Sequence, residues 1–160
     1  GSPALGGVYK LASIQHKSNW NGTLKISDNP EKSTLPGNKQ IYRLYDNSGK
    51  ATADLICLAE ENIDSFRNFI LHHPIEENIV RKINRKDLSD YEPLLNDILK
   101  DGKLIYNFPS INDIRELRKK DLEHLHDGVK RLINPHYYHV SSSEKLIKYR
   151  HKLTERIKGA

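Results

Sequence analysis

The chain has 160 residues, enough for one domain with a core, and a hydrophobic share of 36%, low for a globular protein but above that of a disordered one. Its net charge of +5 arises from 26 Lys and Arg interspersed with 21 Asp and Glu, so no basic tract marks a nucleic-acid binder and no such partner is expected. A lone Cys57 excludes an internal disulfide and a cysteine metal site and points to a reducing compartment, the cytoplasm, while no apolar run approaches the ~20 residues of a membrane span and no signal peptide stands out.

In chain order, Gly1-Ser2 reads as a scar of tag removal, which the absence of any Met supports, leaving 3–160 as the domain. Four short strands are expected next, at Gly7–Ile14, Thr23–Ile26, Gln40–Tyr45 and Thr52–Leu58, several of them alternating apolar with polar residues. Turn chemistry separates them at Asn19-Trp20-Asn21-Gly22 and at Asp46-Asn47-Ser48-Gly49-Lys50, with a longer loop over 28–39 holding Pro30, Pro36 and Gly37. The runs Phe66–His73 and Ile79–Ile83 flank a Pro-containing turn and can pair. Leu94–Leu99 and Lys103–Tyr106 flank Asp101-Gly102, a hairpin signal, although the first of these also suits a short helix.

After Pro109 the apolar period changes from two to about 3.6. Ser110-Ile111-Asn112-Asp113 is a capping-box start, and Ile111, Ile114, Leu117 or Arg118, Leu122 and Leu125 form one stripe of a helix that stops at Asp127-Gly128. Pro135 and the Tyr137-Tyr138 pair favour an extended segment over 136–139. A last helix starts near Ser142, with Glu144 three residues after Ser141, and ends at Gly159; Leu146, Tyr149, Leu153 and Ile157 share its inner face. The fold class is therefore α+β, with mainly antiparallel β-strands and hairpins in the first two thirds followed by two C-terminal helices.

Chemistry-bearing residues are sparse. The eight histidines offer no zinc-type spacing, His124 and His126 point to different faces of a helix, and no metal site is expected. There is no glycine-flanked Ser elbow and no Gly-rich loop ending in Lys-Ser or Lys-Thr. The 28–39 loop is the most informative segment, because two prolines stiffen it around Lys32 and Lys39, with Lys10 and Lys25 on the strands before it. Converging ammonium groups can hold a diphosphate as point charges. By composition alone these are solvated surface lysines.

The runs 3–11, Lys25-Ile26-Ser27 and 29–44, then Asp101-Gly102-Lys103-Leu104, Phe108-Pro109-Ser110-Ile111, 131–140 and Ser143-Glu144-Lys145-Leu146, resemble the nicotinate phosphoribosyltransferase family just after its barrel. The resemblance implies a parent enzyme, a glycosyltransferase with ligase character. It joins nicotinate to phosphoribosyl diphosphate, giving nicotinate mononucleotide and diphosphate, with Mg2+ on the leaving group and ATP hydrolysis coupled through a phosphohistidine. It also implies that the phosphohistidine, the nicotinate-binding residues and the Gly-rich phosphate loop lie outside this chain. No catalytic residue and no bound cofactor are then expected here, and the isolated portion is expected to be inactive. In the related nicotinamide phosphoribosyltransferase, lysines from this part of the chain surround the diphosphate, partly across a homodimer interface. Lys10 and Lys25 fall on those positions, and Lys32 lies in the corresponding loop. Ser142 departs from the family, which usually carries Leu there; serine preserves the cap and loses an apolar contact. A stand-alone anion-binding or protein-interaction module is the rival reading.

Overall fold

Alternating apolar residues in the 39–58 segment build the centre of the molecule. In the computed structural model, which describes residues 7–29 and 32–159, β1 (Ser13–His16) and β2 (Asn19–Gly22) form a small hairpin, and β3 (Lys39–Asp46) and β4 (Ala51–Leu58) a long one. The second turn is the one expected: Gly49, at φ 74°, donates to the Asp46 carbonyl at 2.8 Å, and Asp46 Oδ1 accepts from the Ser48 amide at 2.9 Å. The tag-scar reading at Gly1-Ser2 and the stiffening role of Pro30 lie outside the described residues.

β5 (Asn68–His72) pairs with β6 (Val80–Asn84) as expected, and β7 (Leu88–Pro93) pairs with β3 on its outer side. The hairpin across Asp101-Gly102 is reduced to β8 (Leu99–Lys100) and β9 (Lys103–Leu104), with no helix over 94–99. The first helix, α1 (Ile111–His124), starts on the expected capping box: the Asp113 amide donates to Ser110 Oγ at 3.2 Å and the Ser110 amide to Asp113 Oδ2 at 3.0 Å. The Ser110 hydroxyl, which donates to Asp113 Oδ2 at 2.7 Å, and after it the Ser110 amide hold the Asp113 carboxyl below its ordinary value.

The strand that completes the sheet comes late. β10 (His139–Ser143) lies parallel to β4 and antiparallel to β5, giving the six-stranded order β6-β5-β10-β4-β3-β7. α2 (Glu144–Lys158) follows without a loop and packs over β4, β10 and β5, burying Leu146, Ile147 and Leu153. Its N-cap is Ser143 rather than Ser141, because Ser141 and Ser142 are taken into the strand. Ser143 Oγ accepts from the Leu146 amide at 3.1 Å and donates to Glu61 Oε1 at 2.6 Å, and that oxygen also accepts from the Leu58 amide, tying the end of β4 to the start of α2.

One face of the sheet carries the core. Ala53, Leu55 and Cys57 of β4 alternate toward Leu44, Phe69, Leu71, Ile83 and Leu88, with Ile63 and Phe66 from the connection after β4 closing the cluster. Burial raises the Cys57 thiol to about 12, so it stays protonated and inert at neutral pH. Ser142 is wholly buried and its Oγ has no hydrogen-bond partner among the described residues. That is an environment suited to an apolar side chain, yet α2 docks over it.

Four expectations are corrected. Of the expected strand Gly7–Ile14 only Ser13 and Ile14 are in a strand, β1 running on to His16. Asn19-Trp20-Asn21-Gly22 is a strand, and the turn lies before it at Lys17, whose φ is 55°. Thr23–Ile26 is not a strand; Thr23 instead donates its amide to the Ala12 carbonyl at 2.9 Å, and the segment runs over α2. The stripe of α1 is not part of this core: all fourteen of its residues are exposed, Ile111 at 70% and Leu117 at 57%. α1 is held near its C-terminal end, where the Tyr45 ring meets His124 edge-on, Lys50 Nζ donates to the Glu123 carbonyl and Leu125 bridges to Ala51.

Candidate functional site

The lysine-bearing loop is positioned by α2 and by the segment before β1. The Ala12 carbonyl accepts from the amides of both Thr23 and Gly37, at 2.9 and 2.7 Å, and Thr23 Oγ1 donates to the Leu11 carbonyl at 2.9 Å. Both ends of the 23–37 segment are thus pinned to the same short stretch. That junction rests on Tyr149, whose hydroxyl accepts from the Gly22 amide at 2.7 Å. The packing leaves no room for side chains: a methyl at Gly22 would lie 2.6 Å from the Tyr149 hydroxyl, and one at Gly37 would lie 2.6 Å from Leu58 Cδ2. Gly37 also needs glycine for its φ of 95°.

Tyr149→Phe is expected to cost about 1 kcal/mol, since it keeps the ring and removes the acceptor for one partly buried amide. Amide exchange at Gly22 should quicken in this variant, and unchanged protection there would show that the contact does not hold the hairpin.

On this frame Lys10 and Lys32 come together: Lys10 Nζ donates to the Lys32 carbonyl at 3.0 Å, across twenty-two positions of sequence, and both side chains are exposed. Lys25 is also exposed, but no hydrogen bond or ion pair joins it to the other two among the described residues. Its neighbours Leu24 and Ile26 line a cleft with Pro74, Glu77 and Arg150. Lys39 has a different role from the one its sequence position suggested. Its ammonium is half-buried and donates to the carbonyls of Leu35 and Gly37 at 2.8 and 2.6 Å, and desolvation lowers its pKa. It braces the loop from within.

Several histidines are engaged in the fold. His126 Nε2 lies 2.8 Å from Asp46 Oδ2, His151 and Arg150 both meet the Glu77 carboxylate, and the His73 ring accepts from the amides of Ile75 and Glu76. Among the described residues no group of three His, Cys, Asp or Glu side chains is placed to hold a metal ion. No helix of the described chain is long and apolar enough to cross a membrane.

Two arrangements were not visible in the sequence. Asp54 on β4 holds Arg43 of β3 through Nε at 3.0 Å and Nη2 at 3.3 Å, and also accepts from the Tyr138 hydroxyl at 2.8 Å. Asp54 and Tyr138 sit 84 positions apart, and the strand pairing of β3, β4 and β10 brings the three residues together. The other is a cleft of ≈ 400 Å³ between β2, the 37–38 bend and α2, into which Trp20 and Lys145, Lys148 and Lys152 are brought. A lysine spacing of i, i+3, i+7 on a helix was its available signal.

These features define an α+β domain with a lysine-bearing loop lashed to its final helix. The profile of the nicotinate phosphoribosyltransferase C-terminal domain matches residues 38–150, and the chain belongs to that family. It is 35% identical over 143 residues to a nicotinate phosphoribosyltransferase of Bacillus subtilis, covering 89% of this chain and 29% of the relative. Identity to the Caenorhabditis elegans nicotinate phosphoribosyltransferase is 36% over 155 residues, 94% of this chain and 26% of that one. The crystal structure of human nicotinic acid phosphoribosyltransferase superposes with a TM-score of 0.65 at 30% identity, over 76% of this chain and 24% of the human one. The chain thus spans between a quarter and three tenths of the length of these curated relatives.

Proposed function

We propose that this chain is the C-terminal domain of an enzyme of NAD biosynthesis that transfers phosphoribosyl from phosphoribosyl diphosphate to nicotinate with coupled ATP hydrolysis, and that it supplies a cationic wall on the diphosphate side of the site. The family match and the names of the relatives support the reaction. The observation that carries the role of the domain is the hydrogen bond from Lys10 Nζ to the backbone carbonyl of Lys32, which sets an exposed ammonium group against a loop that is fixed at both ends and carries the exposed Lys32. Diphosphate departure develops negative charge, and cations already fixed near it stabilise the transition state more than the ground state. Lys25 would join them from the same connection. Lysine ammoniums do not ligate Mg2+, and with no carboxylate or imidazole cluster among the described residues this chain does not fit a magnesium site.

The exposed stripe of α1 fits the same reading. A fourteen-residue helix that buries none of its residues is marginal in water. In the parent, Ile111, Ile114 and Leu117 would dock on the remainder of the polypeptide, and the domain would contribute to a homodimer.

In the full enzyme, Lys25→Ala and Lys10→Ala should each raise the Michaelis constant for phosphoribosyl diphosphate or slow turnover by about tenfold, while leaving the Michaelis constant for nicotinate unchanged. Wild-type kinetics in both would remove the lysines from the reaction. The 160-residue chain by itself should form no nicotinate mononucleotide.

A further inference from the structure

The cleft beside Trp20 has no role in that reading and shares none of its lysines. One wall is α2, where Lys145, Lys148 and Lys152 face the opening, and the opposite side carries Trp20, half exposed, on β2. Leu58 and Tyr149 contribute apolar lining, and Asn38 joins it with its backbone carbonyl taken by the Ala59 amide at 2.9 Å. The position of Trp20 relative to the helix is fixed, because Gly22, two residues on, is bonded to Tyr149.

Charge in the cleft is not balanced. Lys145 pairs with Glu60 at 2.9 Å and Lys148 with Glu144 at 2.6 Å along the helix, whereas Lys152 makes no ion pair among the described residues. Glu60 is the acidic residue of the lining, against three lysines. A cavity of ≈ 400 Å³ falls within the range of about 300–1,000 Å³ typical of small-molecule sites. It is a concavity, not the broad face that a protein partner covers.

A flat aromatic plate facing ammonium groups across an apolar lining recognises a molecule with one planar ring system and one phosphate end. We propose that this cleft binds a nucleotide, with its base against Trp20 and its phosphate on Lys148 and Lys152. Base–aromatic stacking needs no sequence of hydrogen bonds to be favourable, and lysine donors follow a phosphate without demanding fixed geometry.

Trp20 is the single tryptophan of the chain, so binding can be read directly from its fluorescence. Titration of the 160-residue chain with AMP should quench it saturably. The double variant Lys148→Ala/Lys152→Ala should weaken AMP binding by about tenfold or more with an unchanged melting temperature. By calorimetry, Trp20→Ala should weaken AMP about five- to a hundredfold while Trp20→Phe largely restores it. Absence of a saturable change, equal affinity in the lysine double variant, or inorganic phosphate competing as well as AMP would each overturn the assignment. Lys10→Ala and Lys32→Ala should leave AMP binding intact, which separates this site from the diphosphate wall.

Discussion

Phe69→Ala is expected to lower the free energy of unfolding by about 3–5 kcal/mol, the largest effect of any single truncation in the core. Phe69 is wholly buried on β5, opposite Ile83 on β6, and its ring meets Phe66 edge-on with centroids 5.6 Å apart. It shares the cluster with Leu44, Leu55 and Leu71, all fully buried side chains held by a hydrogen-bonded sheet. Such a site cannot collapse to fill the space, so the loss includes a cavity as well as the transfer of the ring. For a domain whose total stability is about 5–15 kcal/mol this removes a large part of it. Urea denaturation followed by far-UV circular dichroism measures the change, and a loss below about 1 kcal/mol would mean that the ring is not in the core.

Asp54→Ala is expected to cost about 3 kcal/mol by a different route. The carboxylate is the acceptor for Nε and Nη2 of Arg43 and for the Tyr138 hydroxyl, and removing it leaves the guanidinium with its 4.0 Å contact to Asp121 and the phenol without that acceptor in a largely dry place. Asp54→Asn keeps an acceptor and should lose less. In a cycle with Tyr138→Phe, the two substitutions should fall short of additive, because the second removes a donor that the first has already orphaned. The network also has a pH signature. Burial first, and the hydrogen bond to Asp54 second, raise the Tyr138 phenol above its ordinary value. The folded state therefore keeps this proton where the unfolded chain releases it. The associated stability is present below pH about 10 and declines as the pH rises through the folded-state value. Tyr138→Phe should flatten that decline.

What could be read from the sequence was what local pattern encodes. The alternation in β3 and β4, the Ser48-Gly49 turn and the pairing of β5 with β6 all follow from residues close together, and the Ser110–Asp113 box marks the start of α1. β10 carries no such mark beyond an extended backbone at its start. Its residues are His, Val and three serines, and its place is set by β4 and β5, which lie far back along the chain. Its three serines are small and buried, so the usual apolar signal is missing. Trp20 was hidden by the Asn residues on either side of it, which imitate a turn, while the true turn uses Lys17 at positive φ. The α1 stripe was legible as helix but not as surface, because periodicity reports that a face is apolar and says nothing of what meets it. The prolines of the 28–39 loop pointed to Lys32 and the family resemblance to Lys10; the contact of one with the backbone of the other comes from the fold.

The position of β10 governs the order in which the domain can be assembled. Until residues 139–143 are available, β4 and β5 have a gap between them where the central strand belongs, so the two halves of the sheet each present an unpaired edge. During synthesis the N-terminal two thirds must wait with those edges open, and a chain stopped short of His139 would carry two strands ready to pair with another molecule. A few polar residues near the end thus act as the zipper slide of the whole sheet, and α2, starting on the last of them, locks it shut.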